Sequence, residues 1–160
     1  WYCFQQMGMY LSFTKHKKDS KISWEKVPFF MEAANEKDEK LLSIFCGSNN
    51  MNFSILNSSK RKKLHLAAVA SNNFTYHLLS MVKEYCIKNE VNFKDLKPLL
   101  EKTIEAALNE DSFVEQTGPA RRGDNTLIEK QVKELKEFEN LQEIYEIFTK
   151  QIIKKHHHEL

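Results

Sequence analysis

A chain of 160 residues, 41% hydrophobic and 29% charged, holds enough apolar material for one ordinary domain or for a small domain with part of another, which excludes global disorder. Its net charge of +2, with both signs interspersed, lacks the basic face that a nucleic-acid surface needs. No apolar run approaches the roughly 20 residues of a membrane span. The scattered Cys3, Cys46 and Cys86 form no CxxC pair, so reduced thiols in a cytoplasmic protein are expected rather than a zinc site or a disulfide scaffold.

In chain order, Trp1-Tyr2-Cys3-Phe4 shows neither an initiator Met nor a signal-peptide pattern and reads as the opening of a fragment. The polar Lys15-His16-Lys17-Lys18 reads as a solvated loop. Val27-Pro28-Phe29-Phe30-Met31 predicts a short strand whose Pro is tolerable only at its start. Asn35 with Asp38 predicts an N-cap, Leu41, Leu42, Ile44 and Phe45 an apolar helix face, and Gly47 its C-cap. Phe53 and Ile55 predict the next strand. Two strands joined through a helix make a βαβ unit with parallel pairing, too small to cover both faces of a sheet alone.

Beyond Leu56 only helices are expected. Ser58 or Ser59 should cap a long helix to about Lys88, with Cys86 in its core. A second helix should run from near Asp95 to about Asn109, with Pro98 in its first turn. A loop follows from Asp111 to Asp124, and Asp124 should cap a third helix to about Phe138. A fourth, Leu141 to Lys154, precedes a tail rich in histidine. The expected fold class is therefore mixed: the end of a Rossmann-like α/β domain followed by an all-α domain. The expected domains are residues 1–57, 58–155 and a tail at 156–160.

Two stretches carry candidate chemistry. On an α-helix at 100° per residue, His65 and Asn72 lie on nearly one face, and Asn73 and His77 share another. An imidazole beside a carboxamide can orient a substrate carbonyl and hold a proton; equally, both can hydrogen-bond neighbouring loops. In Gln116-Thr117-Gly118-Pro119-Ala120-Arg121-Arg122-Gly123-Asp124 the glycines free the backbone and the arginines offer forked donors to a carboxylate or phosphate. The same loop can be a connector whose arginines pair with Asp124 or Glu115. The Lys60–Lys63 run is either a solvated first turn or faces a cofactor phosphate. No GxGxxG, P-loop, nucleophile elbow or HExxH is present, and no metal site is expected.

Arg61-Lys62-Lys63-Leu64-His65-Leu66-Ala67-Ala68-Val69-Ala70-Ser71-Asn72-Asn73-Phe74 with His77, together with the Gln116–Asp124 loop, resembles a bacterial family that pairs a Rossmann-like N-terminal domain with a helical C-terminal domain of unknown function. Its members are described as NADP oxidoreductases. The resemblance covers about residues 20–153 and includes Val27–Glu32; Gly8–Lys15 departs from it, lacking the family's Pro and Gln there. It implies NADP as cofactor of the intact protein and a helical domain like those of 6-phosphogluconate dehydrogenase relatives, which dimerise and close one side of the nicotinamide cleft. It implies His65 and Asn72 as catalytic residues. Asn73, His77, Gln116, Thr117, Gly118, Arg121, Arg122 and Asp124 become substrate- or cofactor-binding candidates. The expected function is hydride transfer to or from a small polar, acidic substrate by a cytoplasmic homodimer. The alternative is a non-catalytic nucleotide sensor or dimeric assembly protein.

Overall fold

The structure is a computed structural model that describes residues 2–4, 9–11, 27–109 and 116–157. The expected loop at Lys15–Lys18, most of Gly8–Lys15, the first part of the Asp111–Asp124 loop and the last three residues lie outside these. The chain divides into two compact units, Trp1–Ser71 and Asn72–Leu160. The division falls inside the helical stretch that runs from Ser58 to Lys88.

In the first unit, β1 (Tyr2–Phe4), β2 (Met9–Leu11), β3 (Phe29–Met31) and β4 (Phe53–Ile55) form one sheet in that order. β1, β2 and β3 pair antiparallel, and β3 pairs parallel with β4, Phe29 opposite Phe53. The expected βαβ unit is thus β3–α1–β4, with α1 at Glu36–Ser48. The two antiparallel strands before it, three residues each, were not expected. Period-two alternation turns Phe29 and Met31 inward, both buried. Helix α1 meets them with Cys46, whose thiol donates to the Met31 sulfur at 3.4 Å.

Asn35 caps α1 as expected, its side chain accepting from the Asp38 N–H at 2.9 Å. The other end differs from expectation: Gly47 stays helical, and Asn50, at φ 50°, supplies the left-handed residue. Met51 N–H bonds the Cys46 carbonyl and Asn50 N–H the Gly47 carbonyl, a Schellman closure. Register also changes the buried face. Leu41, Ile44 and Phe45 are exposed, while Cys46 is buried against Met31 and Leu42, four residues before it, is half-buried.

Helix α2 (Ser58–Ala68) is capped by Asn57, one residue before the expected serines, through a bond from Lys60 N–H at 3.0 Å. It continues through a π-helical segment, Val69–Phe74, into α3 (Thr75–Lys88). In the second unit a 3₁₀ turn (Phe93–Leu96) leads into α4 (Lys97–Ala107), with Pro98 in the first turn as expected. The one-turn α5 (Pro119–Arg122), α6 (Asn125–Glu134) and α7 (Glu139–His157) complete it. Among its described residues Cys86, Ala120, Leu135 and Thr149 are buried, α5 packs on α6 and α7, and Tyr145 Oη donates to Gln131 at 2.6 Å between α7 and α6. Tyr85 meets Phe138 edge-on at 5.0 Å, and Lys88 sits over the same ring while pairing with Glu137 at 3.2 Å.

Helix α3 ends in the same closure as α1: Val91 N–H bonds the Cys86 carbonyl and Glu90 N–H the Ile87 carbonyl. Here Glu90 occupies the left-handed position, at φ 56°. A side chain with a Cβ is strained there, by about 1 kcal/mol. Glu90→Gly is expected to raise the urea midpoint of unfolding; an unchanged or lower midpoint would show that entropy gained by the unfolded chain cancels the relief.

Candidate functional site

The candidates fall in both units. His65, on α2, belongs to the first unit; Asn72, Asn73, His77 and the Gln116–Asp124 loop belong to the second. The π-helix changes the arithmetic that placed His65 and Asn72 on one face. Its hydrogen bonds run i→i+5, so rotation per residue over Val69–Phe74 is not the 100° of an α-helix. Ser71, whose hydroxyl donates to the Ala67 carbonyl at 2.8 Å, lies inside the segment. Asn72 Nδ2 donates to Asn73 Oδ1 at 3.3 Å, which couples the two carboxamides to one another. His65, Asn72, Asn73 and His77 are all exposed, so none is a buried polar group filling a core requirement.

The loop is ordered by its backbone. Gly118 adopts φ 115°, which only glycine holds without strain, and Gly123 closes α5 at φ 69°. Arg122 N–H reaches the Gly118 carbonyl at 3.2 Å. Arg121 is half-buried and donates through Nη1 to the Gln116 carbonyl, so its fork is turned into the loop. Gln116 Oε1 meets His156 Nε2 on α7 at 3.2 Å. Asp124 accepts from Leu127 N–H at 3.1 Å and is the expected cap of α6. Gln116, Gly118, Arg121 and Asp124 therefore build the loop. Thr117 and Arg122 are its exposed side chains, and Arg122 carries the charge it presents. His156, assigned to a tail by composition, is helical and half-buried.

A third cluster was not foreseen. At the carboxyl end of β3, Glu32 accepts from Ser58 N–H at 3.0 Å and from the Ser58 hydroxyl at 2.6 Å. Arg61, buried within the Lys60–Lys63 run, pairs with Glu32 at 2.6 Å and donates to the Leu56 carbonyl at 2.8 Å and to Ser58 Oγ at 3.0 Å. The Ser58 hydroxyl, then its N–H, then Arg61 hold the Glu32 carboxyl below its ordinary range. The clamp joins the strand ends to the start of α2, so Arg61 is removed from the set of cations available to a phosphate. A signal for it was present in the sequence: four cations at a helix start oppose the dipole, and such a run needs a compensating anion. Elsewhere, burial raises the pKa of the Cys46 thiol. Among the described residues no group of three or more His, Cys, Asp or Glu is arranged to hold a metal, and no helix is long and apolar enough to cross a membrane.

Comparison with solved structures places this geometry. The chain is similar to a putative NADP oxidoreductase from Bacteroides fragilis, at 27% identity and a TM-score of 0.78, over 94% of this chain and 60% of that one. It is also similar to a protein from Thermotoga maritima, at 20% identity and a TM-score of 0.64, over 85% of this chain and 56% of the other, a likeness of fold alone. The chain thus spans well under two thirds of the length of either protein. A comparison with curated proteins gives no match. Residues 27–152, most of the chain, match the family described as Domain of unknown function (DUF2520), and the chain belongs to that family.

Proposed function

We propose that the intact protein is an NADP-dependent oxidoreductase acting on a small polar, acidic substrate. The observation that carries this reading is the structural likeness, over 94% of the chain, to a putative NADP oxidoreductase. On this chain Asn72, Asn73, Phe74, Tyr76 and His77 are exposed and offer amide, aromatic and imidazole groups to such a cofactor and its substrate. NADP, when bound, supplies or accepts the hydride. In this reading His65 holds the proton at the substrate oxygen or nitrogen, and Asn72 orients the carbonyl or imine. Asn73 and His77 extend the polar wall, and Arg122, the exposed arginine of the loop, receives the acidic group. Gln116, Thr117, Gly118, Arg121 and Asp124 shape the loop that presents it. The helical unit, of the type found in 6-phosphogluconate dehydrogenase relatives, pairs two copies, and the protein works in the cytoplasm.

A second reading is a non-catalytic nucleotide sensor or dimeric assembly protein. It is favoured by Arg121, which is committed to the loop, and by Leu99, Ile104 and Leu108, which stand exposed on and just after α4. Calorimetric titration of the full-length protein with NADPH and NADH separates the two. Saturable binding of NADPH in preference to NADH, unchanged in Arg122→Ala while the substrate's KM rises, is the result expected of the enzyme. If neither nucleotide binds, the oxidoreductase reading fails and the assembly reading takes its place.

A further inference from the structure

Within the second unit, the last turns of α3 face the turn that joins α6 to α7, and a cavity of about 330 Å³ lies between them. Met81, Glu84 and Lys88 follow one another by three and four positions on regular α-helix, so they share the face that meets the turn. The turn is fixed by its backbone: Phe138 N–H bonds the Leu135 carbonyl at 2.8 Å, and Gln142 N–H bonds the Phe138 carbonyl at 2.9 Å. Met81, Phe138 and Leu141, each half-buried, give the cavity an apolar wall. Glu84, Glu137, Glu139 and Lys136 line it as well. The chain itself shows what this wall can hold. The Lys88 ammonium sits 4.9 Å from the centre of the Phe138 ring and 3.2 Å from Glu137, taking a ring face and a carboxylate together.

We propose that this cavity binds a small organic monocation, an ammonium group on a hydrocarbon body of a few carbons. Glu84 and Glu139 receive the charge, and Met81, Phe138 and Leu141 receive the body. Three carboxylates meet two ammonium groups, those of Lys88 and Lys136, so one negative charge is left for a ligand to neutralise. Among the described residues the side chains of Glu84 and Glu139 make no ion pair, whereas Glu137 is taken by Lys88. A metal ion fits less well. The carboxylates are not arranged as a group of three that could hold one, and an ion without a hydrocarbon body gains nothing from the apolar wall. The volume stands at the lower end of the roughly 300–1,000 Å³ of ligand pockets, which suits a ligand of few atoms. None of the lining residues belongs to the set assigned to NADP or its substrate, so the inference stands or falls apart from that reading.

The test reads the Met81 methyl and Phe138 ring resonances of the full-length protein, titrated with n-butylammonium chloride at constant ionic strength. Saturable shifts at both residues, with about millimolar affinity, are expected of a ligand of so few atoms. n-Butanol and n-butyrate carry the same body without the positive charge and should bind far more weakly. Glu84 is exposed, so Glu84→Gln should keep the parent's thermal midpoint while weakening n-butylammonium about threefold, the scale of one exposed ion pair. Met81→Trp fills the apolar wall and should abolish the shift at Phe138; if that variant folds poorly, Glu84→Gln decides. A parent that shows no saturation, equal affinity for n-butanol, or parent-like affinity in Glu84→Gln would overturn the proposal. Tighter binding of Nα-acetyllysine amide than of n-butylammonium would give the seat to a lysine of a partner protein and overturn its assignment to a small molecule.

Discussion

Arg61→Ala is expected to destabilise the first unit by about 2–3 kcal/mol, because the guanidinium is buried and its charge-assisted bonds are not replaced by water. Truncation strips the Leu56 carbonyl of its donor and Glu32 of its cation, at the junction where β3, β4 and the start of α2 meet. Amide hydrogen exchange over Phe29–Met31 and Ser58–Ala68 measures it directly; unchanged protection there would show that the clamp is dispensable. Arg61→Lys keeps the charge but cannot span Leu56, Ser58 and Glu32 with one fork, so it should recover only part of the loss. Glu32 sets the pH dependence. Its carboxyl is held below the ordinary value of 4.5, chiefly by the Ser58 hydroxyl, then the Ser58 N–H and Arg61. A group with a depressed pKa stabilises the fold fully above its unfolded value, and that contribution fades as pH falls through the folded value. Stability should therefore decline on acidification below 4.5, and Glu32→Gln should flatten that decline while lowering stability at neutral pH. An equally steep acid limb in Glu32→Gln would assign the linkage to another carboxylate.

What the sequence disclosed follows from how local each signal is. Asn35 and Asp124 were legible as caps because an N-cap bond reaches only three residues along the chain. The β3–α1–β4 unit was legible as strand, helix and strand, and α2, α3, α4, α6 and α7 through apolar spacing and Pro98, whereas α5 fell inside the expected loop. Gly47 misled because glycine is permitted rather than required past a helix end, and Asn50 took the left-handed position instead. The serines misled in the same way: Asn57 was an equally good cap one residue earlier, which freed Ser58 for Glu32. β1 and β2 escaped because strands of three residues carry almost no alternation to detect.

The candidate site was legible as composition and not as geometry. Nothing in the residue types of Val69–Phe74 announces a π-helix, so the reading of His65 and Asn72 as sharing a face used a rotation that the segment does not keep. In the loop, Arg121 and Arg122 are indistinguishable by chemistry. Only the fold shows that the first turns inward to Gln116 and the second outward. Bonds that span the chain were out of reach altogether. Glu32 and Ser58 are 26 residues apart and Gln116 and His156 40 apart, separations at which no periodicity survives. His156 shows the hazard of judging a terminus by composition, since a run of histidines at a chain end reads as a tail whether or not a helix holds it.

The loop itself yields the sharpest test of how backbone conformation, rather than packing, fixes this site. Gly118→Ala and Gly47→Ala are the same chemical change, and a Cβ at either position meets nothing within 4 Å. Steric clash therefore decides neither. Gly118 sits at φ 115° and ψ 173°, a region essentially closed to L side chains, so Ala should cost about 1–3 kcal/mol or force the loop to rearrange. Gly47 is helical, so Ala there should stabilise by about 0.5–1 kcal/mol by restricting the unfolded chain. Opposite shifts of the thermal midpoint are the expected result. Because the Gly118 carbonyl holds Arg122 N–H and the Gln116 carbonyl holds Arg121, the Gly118 variant should also disturb the contact between Gln116 and His156. That disturbance is visible as a change in the His156 ring resonances, which the Gly47 variant should leave in place. A Gly118→Ala protein with parent stability and unaltered His156 signals would mean that the loop relaxes without strain, and its hold on Arg121 and Arg122 would then have to come from the side chains alone.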